Sequence, residues 1–390
     1  MGPTSTGSTG AEGRGVTTLE LFFDLVFVFT LTQLTELLIE HPTVETIPRV
    51  VAMFVVLFWM YGGYAWLTNQ VPPDRPSRRL LLVLGMGAFF ACALAVREAF
   101  DGAGIAFGLA YLLVVLVHAA LYAQVFGWSM LSRLGPLNVV AALMLIGAGP
   151  LDGPIVYVPW AAAIATMFVT PRLLGDHQPR FDIRPAHFVE RHGLLLIVAL
   201  GESIVAIGIG LTGVPVDVGL VGAALLGLAL SAGLWWAYFV GDADRAERAL
   251  EAADPPTRFR MAIDGYFFAF LLVLLGVVAV AAGVKETVGH LTERLEPFAA
   301  ASLAVGVTLF LVGEAAFRGV MGIRPVGLRV VAAAAAATTV PLGTSVAAGL
   351  QLAALLVILI ALLAFEGLRL EGRAGETDED RRGDSRSRAG

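Results

Sequence analysis

Glu20 and Asp24 lie four residues apart inside Leu19-Glu20-Leu21-Phe22-Phe23-Asp24-Leu25-Val26-Phe27, so on a helix they share a face. Two adjacent carboxylates repel when both are charged, which calls for a shared proton, cation or arginine. A second polar run is richer: His187-Phe188-Val189-Glu190-Arg191-His192-Gly193, followed by Ala199-Leu200-Gly201-Glu202-Ser203. Glu202 stands about 22 Å beyond His187 along a helix, with no charged residue within ten positions on either side. Arg191 and Glu202 are eleven apart and return to within about 20° of one face, with His192 and Ser203 on the neighbouring stripe. A charge at the centre of a bilayer costs about 2.5–3.5 kcal/mol on insertion scales, so such side chains normally face a protein interior.

These residues define the expected site: Glu202, Ser203, Asp24, Glu20, Glu190, Arg191, His192, His187 and Asn69, binding a proton, cation or small polar solute near the midplane. Two plainer roles stay open. Glu20 could simply favour a helix N-terminus, and Glu202 could bond to another helix's backbone or hydroxyl. His118, Arg133, Asn138, Asp264 and Glu314 form a second rank, expected near helix ends or in interhelical bonds worth about 1 kcal/mol.

Enzyme signatures are sparse. His187-x-x-Glu190 could present two metal ligands on one helix face, but no matching pair occurs elsewhere. Asp242-Ala243-Asp244 could hold Mg²⁺ and a pyrophosphate, yet it is a single acidic cluster followed by Arg245 and reads as a solvated loop. No Gly-rich phosphate loop, Walker motif or nucleophile elbow is present. No cofactor or metal is expected, a non-enzymatic role is favoured, and ATP-driven transport would need a separate subunit.

The elements that must carry these residues are set by composition. Of 390 residues, 57% are hydrophobic and only 15% charged, with a mean hydropathy of +0.79. A soluble domain holds about 25% charged residues, so the solvent is lipid. Cys92 is the only cysteine, which excludes an internal disulfide framework. The arginines are dispersed and form no basic stripe, which excludes nucleic acid as a partner. Twelve apolar stretches approach the length of about 20 residues that crosses a bilayer: 19–40, 47–67, 79–97, 103–125, 131–150, 154–171, 187–210, 217–240, 262–284, 297–316, 326–344 and 347–366. The boundary near Ser345 is the weakest. With twelve alternating spans, 22 of the 26 basic residues fall on the side of both termini and 4 on the other. The positive-inside rule then puts both termini in the cytoplasm.

The halves match in order. Trp59-Met60-Tyr61 answers Trp235-Trp236-Ala237-Tyr238, Val96-Arg97-Glu98 answers Val284-Lys285-Glu286, His118-Ala119-Ala120 answers Glu314-Ala315-Ala316, and Pro136 answers Pro325. The fold expected is an all-α polytopic membrane protein of about twelve transmembrane helices in two parallel six-helix repeats, 19–171 and 187–368. Tails at 1–18 and 369–390 are too polar to order themselves. The N-terminus is expected to be retained, because the first apolar stretch opens with Glu20 and Asp24 and lacks a cleavage pattern.

Glu20-Leu21-Phe22-Phe23-Asp24-Leu25-Val26-Phe27-Val28-Phe29, Trp66-Leu67-Thr68-Asn69, His187 to Gly193 and Leu200-Gly201-Glu202-Ser203-Ile204-Val205 together resemble the bacterial low-temperature-requirement A (LtrA) family. The resemblance covers residues 16–368 and implies a multi-pass protein of the bacterial cytoplasmic membrane, without an established reaction. Family signature positions map to Glu20, Asp24, Asn69, His187, Glu190, Arg191, His192, Gly201, Glu202 and Ser203. Gln70-Val71-Pro72-Pro73 departs from relatives, which usually place acidic residues there. Phe22-Phe23-Asp24 also resembles the Phe-Ser-Asp opening of a class of potassium channels built from six-helix repeats, with Phe23 in place of Ser. The expected function is a secondary transporter or permease; the alternatives are a cation channel or an intramembrane enzyme acting on a lipid or isoprenoid. The partners are then the lipid bilayer and a small solute or ion, with an oligomer left open.

Overall fold

A computed structural model describes residues 15–174, 183–211, 213 and 216–387, with side chains outside 128–134, 170–174 and 369–387. The expected N-terminal tail up to residue 14 lies outside the described residues. Among them the chain is all helix: α1 (Thr18–Glu40), α2 (Thr46–Gln70), α3 (Pro76–Ala95), α4 (Gly104–Phe126), α5 (Trp128–Ala148), α6 (Tyr157–Leu174), α7 (Pro185–Gly210) and α8 (Val218–Phe239). Then come α9 (Asp242–Ala252), α10 (Pro255–Ile263), a π-helical segment (Asp264–Ala269), α11 (Phe270–Val288), α12 (Pro297–Met321), α13 (Gly327–Ala337), α14 (Val340–Ser345) and α15 (Ala348–Ser387). The segment expected as a C-terminal tail continues α15 as far as Ser387.

Helices are the form this composition dictates, because hydrocarbon offers no partner for backbone N–H and C=O groups. Ten helices of the described residues are long and apolar enough to cross a membrane, and Gly135–Ala148 and Gly153–Val169 are shorter apolar helices. Their outward faces are apolar too: Ile105, Leu109, Leu113 and Leu116 form an exposed stripe along α4, as do Leu80, Val83, Leu84 and Leu94 on α3. Exposed apolar stripes of this length mark a lipid-facing surface, so the chain is a multi-pass membrane protein. Local signals set the ends. Thr17 and Glu20 close a capping box on α1, with Thr17 N–H donating to Glu20 Oε2 at 2.9 Å and Glu20 N–H to Thr17 Oγ1 at 3.3 Å. Asp217 caps α8 by accepting from Leu220 N–H at 2.7 Å. The boundary near Ser345 is real: Ala348 and Gly349 N–H groups leave the helix ladder to donate to Glu293 and Leu291 carbonyls.

The described residues divide into two compact units. The first comprises Met1–Leu37, Ile47–Val198 and Ala243–Ile263; the second comprises Leu38–Thr46, Ala199–Asp242 and Asp264–Gly390. In the first, an aromatic layer joins α1, α2 and α3: Phe27 meets Tyr61 at 4.4 Å between ring centroids, Phe23 meets Tyr64 at 5.0 Å, and Phe89 stands edge-on to Phe23 at 5.4 Å. Tyr64 carries the layer to α4 by donating its hydroxyl to the Val114 carbonyl at 2.9 Å.

In the second unit the seam between α11 and α12 is built on glycine. A Cβ on Gly276 would stand 2.6 Å from Phe310 N, one on Gly306 2.6 Å from Val280 N, and one on Gly313 2.8 Å from Val273 N. The backbones themselves are in contact, which is how membrane helices gain dispersion energy without a hydrophobic drive between them. Gly306→Ala should therefore lower stability by about 1–3 kcal/mol through overpacking, whereas Gly319→Ala on the same helix, where a Cβ meets nothing within 4 Å, should be neutral or slightly stabilising. Thermal melting of the two variants in detergent checks the contrast.

Candidate functional site

Two helix N-termini and one C-terminus bring their charged groups together in the first unit. Glu20 and Asp24 come from α1, Tyr61, Thr68 and Asn69 from α2, and His187 and Arg191 from α7, all buried. Arg191 is the hub. Its Nη1 donates to Glu20 Oε1 at 2.8 Å and to Thr68 Oγ1, and its Nη2 donates to Asp24 Oδ1 at 3.2 Å. The Tyr61 hydroxyl donates to the same Asp24 oxygen at 2.8 Å. The guanidinium carbon lies 5.8 Å from the ring centroids of both Phe23 and Tyr61, so aromatic faces replace part of its hydration. The pair on α1 thus shares an arginine. Among the described residues Asp24 Oδ2 has no hydrogen-bond partner.

Asn69 fixes the second layer. Its Oδ1 accepts from Arg184 N–H at 3.1 Å and its Nδ2 donates to the Arg184 carbonyl at 3.0 Å, which determines the orientation of the amide. The remaining Nδ2 hydrogen points at His187 Nδ1, 3.3 Å away. His187 Nδ1 is therefore the acceptor, and Nε2 carries the hydrogen toward Glu20 Oε2 at 3.4 Å. Arg184 also closes the end of α2, its Nε donating to the Asn69 carbonyl at 2.5 Å and its Nη2 to the Thr68 carbonyl at 3.2 Å. A cation at a helix C-terminus satisfies orphan carbonyls and complements the dipole.

Asp24 and Arg191 each lie six residues inside their helices, about 9 Å along the axis. Glu20 combines both roles open in the sequence, capping α1 and holding Arg191. Arg191, His192, Glu202 and Ser203, expected on one polar track of α7, are all buried. His192 turns to its own helix, donating Nδ1–H to the Phe188 carbonyl at 2.8 Å with its ring 4.4 Å from that of Phe188. Glu190 is exposed and accepts from Val16 N–H at 3.1 Å, pinning the entry to α1. His187 and Glu190, weighed as paired metal ligands, have different partners. Among the described residues no group of three or more His, Cys, Asp or Glu is arranged to hold a metal. Glu202 and Ser203 are buried on the part of α7 that belongs to the second unit. In the second rank, Asn138 accepts from Trp59 Nε1 at 3.1 Å, His118 stands edge-on to Tyr64 at 5.2 Å between ring centroids, Asp264 is exposed, and the side chain of Arg133 lies outside the described set.

The sequence reading missed a second ionic centre. Asp242, read as part of a solvated loop, is fully buried, and so are Arg318 and Arg329, both counted as loop charges. They join Glu314 and Glu366 in the second unit. The available signal was Glu314 and Arg318 four residues apart, a same-face pair like Glu20 and Asp24.

Arg191→Leu leaves two buried carboxylates without their counter-charge, and should cost about 3–5 kcal/mol. Adding Glu20→Gln and Asp24→Asn to that variant should recover most of the loss, since no unpaired charge then remains. Thermal melting of the single and triple variants in detergent measures both.

The family model described as Bacterial low temperature requirement A protein (LtrA) matches residues 15–364. An uncharacterized protein of Rhizobium meliloti (strain 1021) is 29% identical over 311 residues, which cover 75% of each chain. The matched region contains every residue of the Arg191 centre and extends across both units, so this chain belongs to the bacterial low temperature requirement A protein family.

Proposed function

We propose that the chain is a secondary transporter or permease of the bacterial cytoplasmic membrane, and that the Glu20–Asp24–Arg191 centre binds a proton, a cation or a small polar solute. One observation carries this reading. Two buried carboxylates share one guanidinium, and one carboxylate oxygen, Asp24 Oδ2, is left without a donor. In a membrane interior such an arrangement is costly unless it is used. A proton or cation on Asp24 weakens its attraction for Arg191 Nη2, while Glu20 and Thr68 keep hold of Nη1. The tie between α1 and α7 then has two strengths, and a ligand that distinguishes them biases a conformational equilibrium. Glu202 and Ser203, buried in the second unit, are proposed as further solute-binding residues.

The frame proposed is twelve spans in two parallel six-helix repeats with both termini cytoplasmic. Ten long apolar helices and two shorter ones supply the count. The basic-residue imbalance between loops keeps its sign when buried Arg191, Arg318 and Arg329 are removed from it.

Reconstitution in liposomes tests the reading. Flux driven by proton, Na⁺ or K⁺ gradients should fall at least roughly tenfold in Asp24→Asn, the loss that about 1.4 kcal/mol of stabilisation represents. Glu202→Gln should impair it too. Asp101→Asn, which removes only an exposed salt bridge to Arg49, should leave it unchanged. Flux indifferent to Asp24→Asn overturns the proposal, and flux that rises without saturation makes the protein a channel.

A further inference from the structure

The second unit holds a buried ionic cluster that the proposed transport centre does not use. Asp242 opens α9, Glu314 and Arg318 lie on α12, Arg329 is in the first turn of α13, and Glu366 is on α15. Arg318 forks onto Asp242, with Nε to Oδ2 at 2.5 Å and Nη2 to Oδ1 at 3.1 Å. It also grips Glu366, with Nη1 to Oε1 at 2.5 Å and Nη2 to Oε2 at 2.9 Å. Arg329 donates to Glu366 at 3.2 and 3.1 Å, to Glu314 Oε2 at 2.7 Å and to the Ala237 carbonyl at 2.7 Å. Its Nη2 also lies 3.3 Å from Asp242 Oδ2. Asp242 and Glu366 are therefore held by both arginines. Glu314 is not: it accepts once, at Oε2, and its fully buried Oε1 has no partner among the described residues.

The groups around Glu314 are few. Arg318 shares its helix, Arg329 and Glu366 come from α13 and α15, and Tyr238 and Asp242 come from the end of α8 and the start of α9. Tyr266 reaches Phe317 from the π segment at 5.1 Å. α14 has no charged residue. The Lys285 and Glu286 of α11 lie about 18 Å along that helix from Val273, which faces Gly313. Arg245, one turn beyond Asp242, is half-buried.

We propose that Glu314 is a proton-binding site. The carboxylate takes a proton from hydronium at Oε1, forming one O–H bond, releasing water and losing its charge, while Oε2 continues to accept from Arg329. Three fully or nearly buried carboxylates then face two guanidiniums with only two negative charges. The orphan oxygen then carries the proton, so a buried acceptor with no donor is no longer left unmet. A metal ion is disfavoured, because Arg329 already presents positive charge to the other oxygen. Glu314 holds this proton whether or not the Arg191 centre transports anything.

The test uses the full-length protein in liposomes and in detergent. Infrared difference spectra between acidic and alkaline buffer should contain a protonated-carboxyl C=O band that disappears in Glu314→Gln and survives in Asp24→Asn. Glu314→Gln, which mimics the neutral acid, should fold and melt close to the wild type. Asp242→Asn removes a charge that the arginines need, and should lower the melting temperature by roughly 10 °C or more. A band unchanged in Glu314→Gln overturns the proposal, and so does a Glu314→Gln protein that melts as low as Asp242→Asn. Stabilisation of the wild type, but not of Glu314→Gln, by added Na⁺ or K⁺ at constant pH assigns the site to a metal cation and overturns it equally.

Discussion

A guanidinium stays charged in any protein environment and cannot be abandoned in hydrocarbon, so Arg191 dictates its own surroundings. Glu20 and Asp24 are fixed opposite it, the aromatic faces of Phe23 and Tyr61 cover it, and Thr68 accepts one of its hydrogens. Everything that orders those partners follows from the same demand: the capping box that starts α1, the Asn69 amide that orients His187, and the Arg184 fork that finishes α2. The helices of the first unit are long and apolar enough to form anywhere in a membrane. Their pairing is specific because one buried cation is shared among α1, α2 and α7.

The second unit meets the same problem with a different solution. Instead of one arginine between two acids, it interlocks two arginines with three, and the bidentate geometry of Arg318 on Asp242 and on Glu366 gives directional bonds where a lysine would give only a point charge. The near absence of lysine from the chain suits interiors of this kind. Each centre retains one carboxylate oxygen without a donor, Asp24 Oδ2 in one and Glu314 Oε1 in the other. A purely structural ion network gains nothing from an orphan oxygen, which is why both proposals rest on these two atoms.

Much of this was legible before any coordinates. Most apolar stretches became helices close to their expected limits, although 326–344 is split into α13 and α14 and α15 runs on to Ser387, and the spacing of Glu20 and Asp24 pointed to a shared arginine or cation. Arg191, His187 and Asn69 also stood among the expected site residues. Other features were hidden for a physical reason. In a lipid-solvated helix both the core face and the outer face are apolar, as the exposed stripe on α4 demonstrates, so periodicity says little about which way a residue points. Hence His192, adjacent to Arg191, turned to its own backbone, and Asp264 turned outward. Pairing over long separations is equally silent: Asp242 is 76 residues from Arg318, and nothing local distinguishes it from a loop aspartate.

The α11–α12 seam bears on assembly as well as on architecture. Glycine has no rotamers to lose when surfaces meet, so docking these two helices freezes almost no side-chain motion at Gly276, Gly306 and Gly313. They are neighbours in sequence, joined by a short link between Val288 and Pro297, so loop closure also costs little. The hairpin is thus entropically inexpensive on both counts, and it carries Glu314 and Arg318 of the buried cluster on its second arm.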